Sequence, residues 1–376
     1  MQGLTRQELT ARIDELSTSW CDQRDQLYTM QDFPVSVWQA LADSSLLGLG
    51  LSKASGGLGG DYKALAIAAQ RLSQSGAVMG ITTTWLAHSI NARLHIEGRG
   101  TVSQREEWLP RLARGETSVC VAISEPGAGA HPKHLKTAAV RDGDDFVING
   151  TKSYLTNGPL SDVFIVLAIT EEVAGRKSFS AILVPRSTPG LQQTPGIEID
   201  FLRPSPHCGL ELKDCRVPAS NLLGSLGEGF AEISMPMRAV EDVLKTSSLA
   251  GALNAELRFV ADAARAQQVN DTLADFGSLT DRVEALGQLA FGLAAELDRD
   301  AAKPERLNAA AAGFRAFTKY LQDDIDTYVA DHGLVLSQSA QRLRRDIVKS
   351  FEIAASAHRI QSARRAEAFF REGAAL

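Results

Sequence analysis

Cysteine is scarce in this sequence, at four in 376 residues, and Cys21, Cys120, Cys208 and Cys215 never fall into a CxxC spacing. That excludes a disulfide framework and a thiolate metal site, and the thiols read as free cysteines of a reducing compartment. A surplus of positive charge is lacking too. With 39 Lys and Arg against 45 Asp and Glu, the net charge is −6, whereas nucleic-acid binding needs a concentrated basic surface. The densest basic cluster, Arg342, Arg344 and Arg345, reads as a solvated helix face. No apolar run approaches the roughly 18 residues that a membrane span needs. The first twenty residues mix acidic, polar and apolar types, which fits neither a signal peptide nor a transit peptide, so a cytoplasmic location is expected.

What the chain does have is apolar material for more than one core, at 44%, and its length predicts two or three domains. Residues 1–118 carry a helical period, with Leu65, Ala68, Ala69 and Leu72 on one stripe. The glycine-rich SKASGGLGGDY interrupts them. It reads as a break between helices rather than a phosphate cradle, because no suitable strand precedes it and no lysine follows. Over residues 119–226 the pattern changes to short β-branched and aromatic runs, FVING, VFIVLAI, SFSAILVP and LELKDCRVP, which predict a small antiparallel β domain. A hairpin turn is expected between Asp142 and Asp145. Helical periodicity returns over residues 227–376, with breaks expected at Gly251, Asn270 to Thr272, Lys303-Pro304 and His332-Gly333 between four long helices. The fold class is α+β: helices, then sheet, then a helical bundle.

Two segments carry the chemistry. In CVAISEPGAGA, Cys120 to Ala130, Pro126 fixes φ while Gly127 and Gly129 let backbone approach a ligand closely, so N–H groups can converge on an anion and Ser124 can add its hydroxyl. In INGTKSYLTNG, Ile148 to Gly158, Tyr154, Thr156 and Asn157 offer one aromatic, one hydroxyl and one amide to something flat. The intervening hairpin brings the two segments together. His131 and His134, with Lys133 and Lys136 nearby, read as a polar loop or, alternatively, as a local cationic patch. Two histidines without a carboxylate partner are not a metal coordination set, so no metal is expected.

The pairing of SEPGAGA with YLTNG resembles the acyl-CoA dehydrogenase family, and so do FPVSVWQALADSSLLGL, GGLGGDYKALA and LELKDCRVPASNLLGSLGEGF elsewhere in the chain. The resemblance implies an N-terminal helical domain, a central β domain, a C-terminal four-helix bundle and FAD as cofactor. Ser124, Gly127, Gly129, Tyr154, Thr156 and Asn157 would lie on the flavin side, with the Thr156 hydroxyl near flavin N5. It also implies α,β-dehydrogenation of an acyl thioester, acyl-CoA or carrier-bound, in which a glutamate takes the α-proton while hydride leaves the β-carbon. An electron-transferring flavoprotein, or oxygen if the site is open, would reoxidise the flavin, and a homodimer or homotetramer would complete its site across subunits.

The C-terminal third departs from the family pattern. Counting from RLRRD without gaps puts Ala354 at the base position, whereas the local aromatic-Glu pattern puts it at Glu352 after Phe351. The alternative bundle position reads Leu244-Lys245, with Glu241 and Asp242 one turn before. Arg265 lies one position from the arginine expected to reach the partner's flavin, and Gly333 matches the glycine-rich stretch on its adenine side. The ungapped count is preferred, which leaves Glu352 as the best remaining candidate for the base. Two other readings remain: a flavin monooxygenase of the same fold, which needs no such base, and a non-catalytic homologue that binds flavin or thioester.

Overall fold

The computed structural model describes residues 5–196, 198–269, 273–300, 303–353 and 355–372. Six helices come first: α1 (Arg6–Thr18), α2 (Arg24–Leu27), α3 (Val35–Asp43), α4 (Tyr62–Arg71), α5 (Met79–Ile90) and α6 (Val102–Ala113). Thr5 and Thr101 start α1 and α6 with capping boxes, each hydroxyl accepting an N3 amide and each N3 side chain reaching back. The N-terminus of α4 faces two carboxylates. Asp61 accepts from the Ala64 amide, and Asp298 accepts from those of Tyr62 and Lys63 at 2.8 and 3.0 Å. Anions there satisfy orphan amides and oppose the helix dipole.

The described residues form β1 (Val119–Ala122), β2 (Ala138–Asp142), β3 (Asp145–Thr156), β4 (Val163–Val173), β5 (Arg176–Pro185), β6 (Leu191–Thr194), β7 (His207–Pro218) and β8 (Leu222–Leu223), and the four predicted runs fall in β3, β4, β5 and β7, whereas β6 and β8 were not foreseen. They make one sheet in the order β6-β7-β3-β2-β4-β5-β8, with β1 alongside β4. The β2–β3 hairpin closes between Asp142 and Asp145, as expected. The sheet is mixed rather than antiparallel, because β1 and β2 both run parallel to β4. One face carries Phe146, Ile148, Phe164 and Leu210. Val163, Ile165 and Leu183 on the other face pack against Ile96, Trp108 and Leu112 of the N-terminal helices.

The C-terminal region holds α7 (Met235–Ala266), α8 (Leu273–Arg299), α9 (Asn308–Asp331), α10 (Gln338–Glu352) and α11 (Ala355–Glu372). The expected breaks at Pro304 and Gly333 are found, and that at Asn270 to Thr272 lies outside the described residues. Gly251 breaks nothing. It lies inside the 32-residue α7, where a Cβ would run into the Gln70 carbonyl oxygen of α4. The residue is a contact point between helices, and one continuous apolar core joins the N-terminal helices to the bundle around it. Gly251→Ala gains about 1 kcal/mol of helix propensity, yet it is expected to destabilise by roughly 1–3 kcal/mol through overpacking. The urea unfolding midpoint measures this, and a stabilised variant would contradict so close an approach.

The GGLGG loop is not a cradle. The amides of Leu58, Gly59 and Gly60 donate to the carbonyls of Gly48, Leu51 and Leu49, which leaves those donors spent inside the domain. The basic cluster on α10 is likewise engaged. Arg342 donates to the Tyr28 carbonyl, Arg344 pairs with Asp326 and Glu256, and Arg345 bonds the Asp200 carbonyl. Among the described residues no helix is long and apolar enough to cross a membrane.

Candidate functional site

The two motif segments meet as expected. The Ser153 amide donates to the Ser124 carbonyl at 2.9 Å, which sets the end of β1 against β3. Glu125 to Gly129 then folds into a tight turn in which Ala128 and Gly129 both donate to the Glu125 carbonyl. Two of the amides that the sequence offers to a ligand are therefore spent within the turn. Gly127 and Gly129 have φ of 73° and 56°, a region that side-chain-bearing residues rarely enter. Nothing stands within 4 Å of where a Cβ would sit on either. The glycines shape the turn and leave space on its outer side.

The turn is held from beneath by an ion pair. Lys152 Nζ lies 3.0 Å from Glu125 Oε1 and donates to the Ile123 carbonyl at 3.0 Å. The Glu125 carboxylate also accepts from the amides of Lys136 and Thr137 at 2.7 and 2.9 Å. Burial pulls the Lys152 ammonium down to about 8, with Glu125 opposing. Burial would raise Glu125, but Lys152 and the amides outweigh it and hold the carboxyl below its usual range. This pair was not singled out from the sequence, although a signal existed. Phe146 and Ile148 point inward, and the same period-two alternation reaches Lys152.

Two residues further on, β3 bulges against β7, with a register shift between Lys152 and Leu155. Tyr154 occupies the bulge at φ 59° with its side chain half exposed. A left-handed non-glycine residue costs about 1–2 kcal/mol, and such strain gathers where a side chain is aimed for function. Thr156 is half-buried, its Oγ1 3.1 Å from His207 Nε2. Burial foremost pulls the His207 imidazole down to about 4. His207 was not foreseen, since its partner lies 51 positions away in sequence.

Asn157 departs from its expected place beside a ligand. It is fully buried, its Nδ2 donating to the Thr84 carbonyl of α5 at 2.8 Å and its amide donating to the Pro206 carbonyl. Its φ of 66° turns the chain out of β3. The side chain ties the sheet to the N-terminal helices instead of facing outward.

The bundle residues are also placed. Glu352 ends α10, its carboxylate 65% exposed and 3.0 Å from Lys349 Nζ. Ala354 lies outside the described residues. Leu244 is buried, while Lys245 and Glu241 pair at 2.8 Å. Beside the α10–α11 break, Arg315 donates to the Ile353 carbonyl at 3.2 Å and to His358 Nε2 at 2.7 Å, with Asp242 3.5 Å away. Burial, ahead of the opposing Asp242, lowers His358, whose neutral ring accepts from Arg315. No sequence signal announced this cluster. Arg265 is exposed and pairs with Asp262, and Gly333 has φ 59°. His131 and His134 are exposed with rings 4.9 Å apart. Among the described residues no set of three His, Cys, Asp or Glu could hold a metal ion.

Comparison with known proteins gives this geometry a family. The acyl-CoA dehydrogenase N-terminal domain matches residues 5–116 and the middle domain residues 120–215, together more than half of the chain. Rat mitochondrial short-chain specific acyl-CoA dehydrogenase is 36% identical over 203 residues, 53% of this chain and 48% of the relative. The match thus spans about half the length of that curated relative. Butyryl-CoA dehydrogenase from Megasphaera elsdenii superimposes with a TM-score of 0.81 at 20% identity, covering 99% of this chain and 100% of that one. A Mycobacterium smegmatis glutaryl-CoA dehydrogenase, solved in complex with FADH2, gives 0.78 at 23% identity over 92% and 89%. With its first two domains matched by the family models and the family's architecture reproduced throughout, this chain belongs to the acyl-CoA dehydrogenase family.

Proposed function

We propose that the chain binds FAD beside the Glu125–Gly129 turn and the β3 bulge, and dehydrogenates an acyl thioester between its α and β carbons. The observation that carries this reading is the junction of the two segments. A glycine turn with open space on its outer side stands against a strained bulge that holds Tyr154 outward and Thr156 next to it. The cofactor fits these residues. Gly127 and Gly129 leave room for a close edge, Ser124 adds a hydroxyl, and the Tyr154 ring offers a flat face. Thr156 would present its hydroxyl toward the flavin N5 edge. FAD, when bound, supplies the two-electron acceptor for the β-hydrogen. Glu352 is the carboxylate proposed to take the α-proton.

The acyl group arrives on CoA or on a carrier protein, and an electron-transferring flavoprotein is the proposed electron acceptor. The exposed Arg265 and the loop at Gly333 suit contacts across a homodimer or homotetramer, and the proposed location is the cytoplasm.

A visible spectrum tests the reading. The purified protein is expected to be yellow, or to become so with added FAD, and to bleach when an acyl-CoA is added without oxygen. Bound flavin that ignores a panel of thioesters but reacts with oxygen after external reduction would favour the monooxygenase. Bound flavin inert to both would favour the non-catalytic homologue. A colourless protein that takes up no FAD would sink every flavin reading.

A further inference from the structure

Thr156 and His207 face each other as the last pair of the β3–β7 ladder. Beyond their 3.1 Å contact, the other ring nitrogen of His207, Nδ1, lies 3.1 Å from the Ser205 carbonyl oxygen. A carbonyl only accepts, so Nδ1 carries the hydrogen. A neutral imidazole has one N–H, which leaves Nε2 with a lone pair. The Thr156 hydroxyl therefore donates to Nε2, and its single proton is used inside the protein. Neutrality is secured by burial, with the Ser205 carbonyl opposing and the cationic Lys245 of α7 and Arg203 reinforcing.

We propose that His207 is a positioning residue that fixes the Thr156 hydroxyl as a hydrogen-bond acceptor toward the site. The consequence rests on the reading that Thr156 faces flavin N5. Oxidised N5 presents a lone pair and wants a donor, whereas reduced N5 carries a hydrogen and wants an acceptor. A hydroxyl whose proton is committed to His207 matches the reduced form. His207 thus favours FADH2 over FAD and raises the flavin potential.

Two measurements test this. In the wild-type protein, without regard to flavin, the nitrogen chemical shifts of His207 are expected to show the Nδ1-protonated neutral ring at pH 7. An Nε2-protonated or a charged ring overturns the proposal. The second is the midpoint potential of the FAD-loaded protein by equilibration with a reference dye. His207→Phe keeps a buried ring but frees the Thr156 proton to meet oxidised N5. The ratio of FADH2 to FAD affinity is expected to fall about tenfold, since one hydrogen bond changes sides, which is about 30 mV for a two-electron couple. His207→Gln, whose amide oxygen can accept from Thr156, is expected to hold the wild-type potential. In a Thr156→Val background, His207→Phe is expected to change nothing. Equal potentials in wild type and His207→Phe, or a shift that persists without the Thr156 hydroxyl, overturn the role of His207 and leave the flavin site standing. A wild-type protein that takes up no FAD overturns the flavin site itself, while the tautomer measurement still judges His207.

Discussion

Lys152→Met is expected to destabilise the folded protein by about 3–5 kcal/mol, the usual cost of removing one partner from a buried ion pair. The Lys152 side chain is fully buried and that of Glu125 is 6% exposed, so no water reaches in to replace the ammonium. The Glu125 carboxylate would keep the Lys136 and Thr137 amides but lose its counter-charge. The variant is also expected to lose flavin before it unfolds, because the same carboxylate anchors the turn of Gly127 and Gly129. Denaturant midpoints and the FAD content of the purified protein read the two effects. Lys152→Met combined with Glu125→Leu removes both charges, and most of the loss is expected to return. A double variant as unstable as the single one would mean that packing by the lysine stem, rather than its charge, holds the loop.

The pH dependence has a definite sign. The Glu125 carboxyl is lowered in the folded protein although burial works the other way. On acidification the unfolded chain takes up this proton first, near the ordinary value of 4.5. The stabilisation is therefore complete above that value and is lost as the pH falls below it. Lys152 is lowered to about 8 by burial, against the pull of Glu125. Between there and its ordinary 10.5 the folded state binds fewer protons than the unfolded one. The desolvation penalty of the lysine thus relaxes as the pH rises through that window.

The meeting of the two segments was legible because each step is local. Asp142 and Asp145 close a hairpin, and that hairpin returns β3 to the end of β1. Alternation from Phe146 also reaches Lys152. What stayed hidden depends on partners that no short window contains. Asn157 is buried because a carbonyl of α5, 73 positions earlier, takes its amide. Gly251 looks like a helix break until Gln70 of another helix is seen against it. The parallel pairing of β1 with β4 follows from which strands meet after the chain crosses over, and β propensity is the same for either direction. The bundle was least legible, since a polar side chain on an amphipathic helix has the same local pattern whether it faces solvent or a neighbour. Asp242, Arg315 and His358 come from three helices.

Glu352→Gln is expected to lower the rate of thioester dehydrogenation by about 10²–10⁴, the usual contribution of a positioned general base. The amide keeps the shape and the position at the end of α10 but cannot take the α-proton. Two measurements keep the result specific. FAD content should be unchanged, since among the described residues no hydrogen bond of the Glu125–Gly129 turn or the β3 bulge involves α10. Exchange of the acyl α-hydrogen with deuterium from solvent, followed by mass spectrometry, should fall with the dehydrogenation rate, because that exchange requires the base. The Glu352 side chain is mostly exposed and pairs with Lys349, so in the proposed reaction substrate would displace water and the lysine from it. Lys349→Met should then leave exchange intact or speed it, by releasing the carboxylate. If Glu352→Gln exchanges and turns over like the wild type, proton abstraction belongs elsewhere. Glu241 is the next carboxylate to substitute, because it lies one turn before Leu244 and Lys245 on α7 and pairs with Lys245. If both variants lose exchange, the two acids serve one site from two helices, with Lys245 and Lys349 as the cations that must yield when substrate enters.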